Sequence, residues 1–466
     1  MSAGRTWVLM IGGSLLIAGL SVLLLPRAIA YDPWSWLIWG RQIDHLALNT
    51  RDSATSVKPL AIYIDMLLAP AGSAASALWL LVARTATVLS LVLVFKVAWR
   101  LGGWLAGTVA VVGLVVSDEY LGYLFMQGMT EPMAAAAVLA AVDNHLDGRR
   151  RWTLGCLIAA ALLRPEAWPL LALYLIWLVY RGPVWQWVVA ALVAVAIPVS
   201  WFIIDWFGAR QLSRSAVASS HQSQGGPLLD REPGLATLRE TWHLMAPVVI
   251  VLFLLGFAAA LWRWRHDGEA RPTVWLSFLA LGWLIVDALL AQRRVASGAE
   301  RYLLPGAALA CIVAGVFVAD VVRGIKHRSA DGRVAAVALA VGWVALILLA
   351  LPRMVTAVHQ VHTGEHAARE ESRLTSNLDG AIALAGGRAA MLRCGTIATE
   401  DFQVPVVAWH LQIPVEQLTL TPGQTGIVLH EAGQPVVPTA LASRYRLLGT
   451  VGPPDARWTV LSTCHS

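Results

Sequence analysis

The sequence predicts a mainly α-helical, polytopic membrane protein of about eleven transmembrane helices, with a small C-terminal α/β domain outside the membrane. Three observations carry this. Of 466 residues, 57% are hydrophobic and only 14% charged, with a mean hydropathy of +0.63, far from a soluble globular composition. Windows 7–25, 78–99, 187–207, 247–262, 303–322 and 334–351 are apolar over close to the roughly 20 residues that a bilayer-crossing helix needs. The 22 tryptophans suit aromatic belts at the two membrane faces.

Residues 1–5 start inside. Arg5 leads into an apolar stretch that ends at Ala28-Ile29-Ala30, a sequence like a cleavage site. The stretch is longer than a signal-peptide core, so it reads as a retained first span, with cleavage as the alternative. Residues 27–58 form a long outer loop. The second span, centred on 78–97, is closed inside by Lys96 and Arg100, and the third covers 104–116. Residues 117–130 return outside. The fourth, 132–146, ends before Arg149-Arg150-Arg151, the clearest inside signal in the chain.

The next apolar stretch has Arg164-Pro165-Glu166 at its middle. One continuous helix would bury two charges in hydrocarbon and turn every later basic loop outward. Two short half-spans meeting near the outer face avoid both outcomes, and broken helices are tolerated where they line a cavity. Span seven then ends at residue 207. Residues 209–243 read as a long, mobile, Ser/Gly-rich outer loop. Span nine, about 274–290, leads to an outer segment at 292–306, and spans ten and eleven end at Pro352. Residues 1–353 therefore form a membrane module and 354–466 an external domain. In the latter, 364–385 reads as an amphipathic helix, and 389–394, 425–430 and 457–464 as strands. If this domain faces outward, Cys394 and Cys464 pair as a disulfide. Cys156 and Cys311 lie in apolar windows as inert fillers. The net charge of +6 follows from basic inner loops. No basic run interleaves with aromatics as a nucleic-acid surface would, and no internal repeat is visible.

With this topology the unusual charges fall on the outer side: Asp32, Lys58, Asp118, Glu119, Glu131, Arg164, Glu166 and Arg301, with Tyr302 beside them. Asp32-Pro33 reads as the N-cap and first residue of an interfacial helix over 34–46, whose apolar stripe is Trp36, Trp39, Ile43 and Leu46. Asp32 is equally a candidate general base at the membrane surface. Asp118-Glu119 is a solvated helix end or an oxygen-ligand site for a divalent cation, Mg or Mn. Thr130-Glu131-Pro132 reads as a capped helix start, and Glu131 is also a substrate-binding candidate, as are Asp118, Glu119, Glu166 and Tyr302. Lys58, Arg164 and Arg301 are either snorkelling cations or a clamp for an anionic phosphate. Glu166 is placed to pair with Arg164.

These segments, "YDPWSWLIWGRQI", "KPL", "SDEYLGYLFMQGMTEP", "LLRPEAW" and "ERYLLPG", resemble the GT-C superfamily of integral-membrane glycosyltransferases. The likeness is to actinobacterial members using polyprenyl-phosphate sugars, and it covers about residues 1–325. It implies that Asp32 is the catalytic base and that Asp118 or Glu119 is a second acidic site. Lys58, Arg164 and Arg301 would hold the donor phosphate. An arabinofuranose- or mannose-class sugar would pass with inversion to a glycan, glycolipid or protein acceptor of the cell envelope, in cell wall biogenesis at the plasma membrane. Here the family's frequent paired acid is the lone Asp32, and its double proline after Lys is single.

A transporter or flippase of lipid-linked sugars is the main rival. It predicts an inverted repeat and mid-bilayer charges. Asp65, Asp205, Asp287 and Asp320 are the exceptions to the one-sided pattern, and they read as near-terminal. A non-catalytic membrane scaffold is the third reading.

Overall fold

The computed structural model describes residues 3–51, 53–221, 226–268, 270–328, 332–431 and 443–464. Helix α1 (Ala3–Leu24) leads to the shorter helices α2 (Tyr31–Asp44) and α3 (Pro59–Leu68). Then follow α4 (Ala75–Gly102), α5 (Trp104–Val115), α6 (Glu131–Leu146), α7 (Arg150–Leu163), α8 (Trp168–Arg181) and α9 (Trp185–Ala209). Two short helices, α10 (Arg214–His221) and α11 (Pro233–Leu244), precede α12 (Pro247–Asp267), α13 (Arg271–Gln292), α14 (Leu304–Arg328) and α15 (Gly332–Leu384). Among the described residues, seven helices are long and apolar enough to cross a membrane. The shorter α5, α6, α7 and α8 occupy the remaining expected span positions.

Helix α14 is the axis of the bundle. Ala307 to Ala314 are all buried, and α14 packs on α4, α5, α6, α12 and α13. Without a hydrophobic drive inside lipid, helices associate through small residues that let backbones approach. A Cβ on Gly315 would sit 2.3 Å from the Ala106 carbonyl oxygen. By contrast α9 exposes Val188, Leu192, Val195 and Phe202, and α15 exposes Val341, Val344, Ile347 and Leu348, as lipid-facing surfaces do.

The break at Arg164-Pro165-Glu166 is present. Arg164 is extended (φ −145°, ψ 125°), and Pro165–Ala167 forms a single 3-10 turn before α8. Proline disfavours a helical residue before it, so the chain turns where the sequence interrupts its apolar run.

Several expectations need correction. Asp32 is not the N-cap of α2. That position is Ala30, and Asp32 lies inside the first turn. Nor is α2 an interfacial helix: Trp34, Trp36, Leu37, Ile38 and Trp39 are all buried. The outer domain closes over it, and one apolar cluster joins Trp36 and Trp39 to Leu374, Val407 and Trp458. Asp44 and His45 are exposed at its end. Residues 389–394 are not a strand but part of a short helix, α16 (Arg388–Cys394). The 209–243 segment carries α10 and α11 rather than loop alone, and its residues 222–225 lie outside the described ones.

Beyond α15, the outer domain holds α16, α17 (Val404–Leu411) and strands β1 (Thr396–Ala398), β2 (Leu418–Thr419), β3 (Gly426–Glu431), β4 (Arg446–Val451) and β5 (Trp458–Ser462). The sheet order is β2-β1-β3-β5-β4. Strand β1 runs parallel to β2 and β3, and β5 antiparallel to β3 and β4. Cys394 and Cys464 form the expected disulfide, with Cα atoms 5.8 Å apart. Cys156 and Cys311 are free.

Helix α15 is continuous from the last span into this domain over 53 residues. It crosses a π-helical segment, Tyr120–Phe125, so closely that a Cβ on Gly122 would lie 2.4 Å from the Gln360 carbonyl oxygen. The fully buried Arg84 of α4 fastens the same level, donating to the carbonyls of Ser21, Pro26, Phe125 and Met126. These bonds satisfy carbonyls that the ends of α1 and the π segment leave open.

Candidate active site

The site is assembled at one end of the helices by segments far apart in sequence. Lys58 immediately precedes α3 and is buried. Its Nζ donates to Thr130 Oγ1 at 2.7 Å and to Glu131 Oε1 at 3.2 Å. The Thr130 hydroxyl thus serves Lys58 and makes no cap bond to α6, contrary to expectation. Lys58 also lies 4.8 Å from the centre of the Trp36 ring, a cation–π contact in a dry setting.

Arg164, at the turn between α7 and α8, grips Glu166 with a two-pronged bond: Nε to Oε2 at 3.1 Å and Nη2 to Oε1 at 2.7 Å. Its third nitrogen approaches Glu131 Oε1 at 3.4 Å. Its guanidinium lies 3.6 Å from the centre of the Tyr302 ring. From the segment before α14, Arg301 Nε comes within 3.8 Å of the same Glu131 oxygen. Three cations from three segments therefore converge on one buried carboxylate atom. Carboxylates and guanidinium forks are geometrically matched, and removal from water makes each charge depend on its partners. Two buried atoms here, Glu131 Oε2 and Arg301 Nε, have no hydrogen-bond partner. Asp287 of α13, fully buried, stands beside Glu166 and Arg164.

Asp32 is 8% exposed and accepts a hydrogen bond from Thr55 Oγ1 at 2.9 Å. Arg301 lies within electrostatic range of Asp32, Tyr123 and Glu131. Asp118 and Glu119 follow α5. Asp118 accepts from Gln360 of α15 and lies 3.9 Å from an Arg353 nitrogen. Glu119 takes a left-handed backbone (φ 57°). Burial pushes its carboxyl above the usual range; Arg301 works against this, while Asp118 and Glu131 reinforce it. The pair does not fit a divalent-cation site. Asp118 is already bound by α15, and among the described residues no three His, Cys, Asp or Glu side chains come together as metal ligands.

A cavity of about 340 Å³ opens beside the cations. Lys58, Arg164, Glu166 and Tyr302 line its polar end, and Leu163, Trp168, Trp201, Phe202 and Leu290 its apolar walls. Asp32 is not among its lining residues.

No protein-family model matches the chain, and no curated protein matches it by sequence. Solved structures do. A crystal structure of ArnT from Cupriavidus metallidurans bound to undecaprenyl phosphate aligns with a TM-score of 0.54 at 14% identity, covering 100% of this chain and 99% of the other. Its apo state aligns with a TM-score of 0.52, also at 14% identity, over 99% of each chain. The chain has the ArnT fold.

Within the ArnT fold, Lys58, Glu131, Arg164, Glu166, Arg301 and Tyr302 form one contact network, with Asp32 and Glu119 at its edge. Asp118 instead turns to α15. Sequence reasoning missed Thr55, Tyr123, Thr130 as a Lys58 partner, and Asp287 as a site residue. Tyr123 lies inside the "SDEYLGYLFMQGMTEP" segment, where no charge marks it. Thr55 carried no signal at all. Asp205, also read as near-terminal, is bonded to the Ser215 amide at 2.9 Å and hydroxyl at 2.6 Å, fastening α10 to α9.

Proposed function

We propose that the protein is an inverting glycosyltransferase that moves a monosaccharide of the arabinofuranose or mannose class from a polyprenyl-phosphate donor to an extracytoplasmic cell-envelope acceptor. The observation that carries this reading is the convergence of Lys58, Arg164 and Arg301 on Glu131, with Lys58 and Arg164 lining an apolar-walled cavity. It occurs on a fold whose crystallised example holds undecaprenyl phosphate.

The chemistry follows from the parts. The acceptor hydroxyl attacks the anomeric carbon opposite the phosphate, and the C1–O bond breaks with its electron pair leaving on the phosphate oxygen. That oxygen is already an anion's, so the leaving group needs no proton. It needs positive charge, which Lys58, Arg164 and Arg301 supply in a site largely closed to water. Asp32 takes the acceptor proton as the new bond forms, and Thr55 holds its carboxylate in place. Glu131 and Glu166 orient the cations. The lipid tail lies along the cavity's apolar walls, Trp201, Phe202 and Leu290. Residues 1–353 form the catalytic module in the plasma membrane, and 354–466 face the extracytoplasmic side, where a disulfide persists.

A lipid-linked-sugar transporter would use the same cations without Asp32. Purified protein incubated with a panel of polyprenyl-phosphate sugars should release polyprenyl phosphate when a glycan acceptor is added. An Asp32→Asn variant that consumes donor at the native rate would defeat the assignment.

A further inference from the structure

In the outer domain, β1 lies between β2 and β3 and runs parallel to both. The chain leaves β1 toward β2 on one side, then crosses to β3 on the other. In open α/β sheets such a reversal leaves a crevice at the carboxyl ends of the strands, a favoured place for ligands. Glu400 follows β1 there, and His430 and Glu431 end β3. Glu400 accepts from the Glu431 amide at 3.1 Å and contacts His430 Nδ1. Gln403 is 3% exposed, and its amide donates to Glu371 at 3.4 Å and to Glu431 at 3.3 Å. Its carbonyl Oε1 is buried without a partner. Phe402 is 79% exposed, and its ring meets the edge of Tyr31, 6.4 Å away at 83°. Tyr31 opens α2 and immediately precedes Asp32, so this ring contact brings the segment after β1 against the start of the helix that carries the proposed base.

We propose that this crevice, with Tyr31 and Phe402 as an aromatic ledge and Gln403, Glu371, Glu400 and Glu431 as its polar wall, is the acceptor subsite and takes a neutral, hydroxyl-rich sugar residue. The inference rests on the transferase reading and adds the acceptor's class. Burial raises the Glu371 and Glu431 carboxyls above their usual range, so each accepts a hydrogen bond or, when protonated, donates one, and sugar hydroxyls can answer both. The unpartnered Gln403 carbonyl, which only accepts, asks for one more donor. An exposed aromatic face suits the C–H face of a sugar ring. The charged groups facing Glu371 and Glu431 are Glu370, Glu400 and His430, so an anionic acceptor meets like charge.

The test is donor-free binding to the full chain in nanodiscs, read by ligand-observed NMR titration. The probes are mannobiose, arabinobiose and cellobiose, with cellobiouronic acid as the acidic counterpart. At least one neutral disaccharide should bind, Phe402→Ala should weaken it about tenfold, and Phe402→Trp should restore it. A parallel polyprenyl-phosphate titration shows that the variants are folded. Absence of neutral-sugar binding, equal affinity for the acid, or indifference to Phe402→Ala would each overturn the proposal. Sugar binding through Phe402 in a protein that transfers nothing would defeat the transferase reading and leave the crevice standing. Transfer whose acceptor KM ignores Phe402 would do the reverse.

Discussion

Lys58 Nζ and Glu131 Oε1 lie 3.2 Å apart across 73 residues of sequence, both almost wholly shielded from water. This contact ties the start of α3 to the start of α6. Breaking a buried pair by removing one partner costs about 3–5 kcal/mol, because the other charge stays behind. Lys58→Met should therefore lower the thermal midpoint in nanodiscs as well as abolish transfer. Lys58→Arg should recover stability more than activity, since a planar fork does not replace a point charge between Thr130, Glu131 and Trp36.

Glu131 occupies the place where three cations meet, so it competes with the donor's phosphate as well as orienting its ligands. Glu131→Gln keeps the shape and removes the charge. Polyprenyl-phosphate affinity should rise about tenfold, while turnover falls because the product is held. Fluorescence titration with polyprenyl phosphate decides it. Weaker binding would mean that orientation outweighs competition.

Asp32→Asn should bind donor normally and lose transfer by about 10²- to 10⁴-fold, the usual worth of a positioned base. Single-turnover assays at saturating donor separate this loss from a binding defect. Thr55→Val, which removes the hydroxyl bonded to Asp32, should lower the rate more than it raises the acceptor KM.

Burial holds the Glu119 carboxyl above its ordinary range. The folded state therefore binds its proton more tightly than the unfolded chain does, and stability is lost as pH rises from about 4.5 through the folded value. Glu119→Gln should raise the thermal midpoint at pH 8 and confer no advantage at pH 4. Midpoints of both proteins across that range check the sign.

Reduction of Cys394–Cys464, which closes a 70-residue separation, should cost about 2–4 kcal/mol in the outer domain. A reductant-dependent fall in midpoint, absent from a Cys394→Ser variant, measures it.

The spans were legible because lipid imposes a length and a composition on any helix that crosses it. The break at Arg164-Pro165-Glu166 was legible because hydrocarbon excludes charge and proline ends a helix. The cations Lys58, Arg164 and Arg301 stood out for the same reason. What could not be read was tertiary. The tryptophan stripe of α2 looks interfacial until the outer domain is known to cover it. Asp118 and Glu119 are neighbours in sequence, yet one turns to Gln360 of α15 and the other toward Arg301. Residues 389–394 alternate weakly enough to suit a strand, and Gly387 before them starts a helix instead. Thr55 became a site residue only when its loop folded against Asp32.

Helix α15 is a single shaft of 53 residues, about 80 Å long at 1.5 Å per residue. Its lower half floats in lipid, while Gln360 holds Asp118 and Leu374 and Leu378 anchor the sheet. A bilayer that thickens or thins tilts such a shaft, and the tilt arrives at Asp118 and the crevice as a change of angle. The thickness of the surrounding membrane would thereby reach the candidate site through one rigid element.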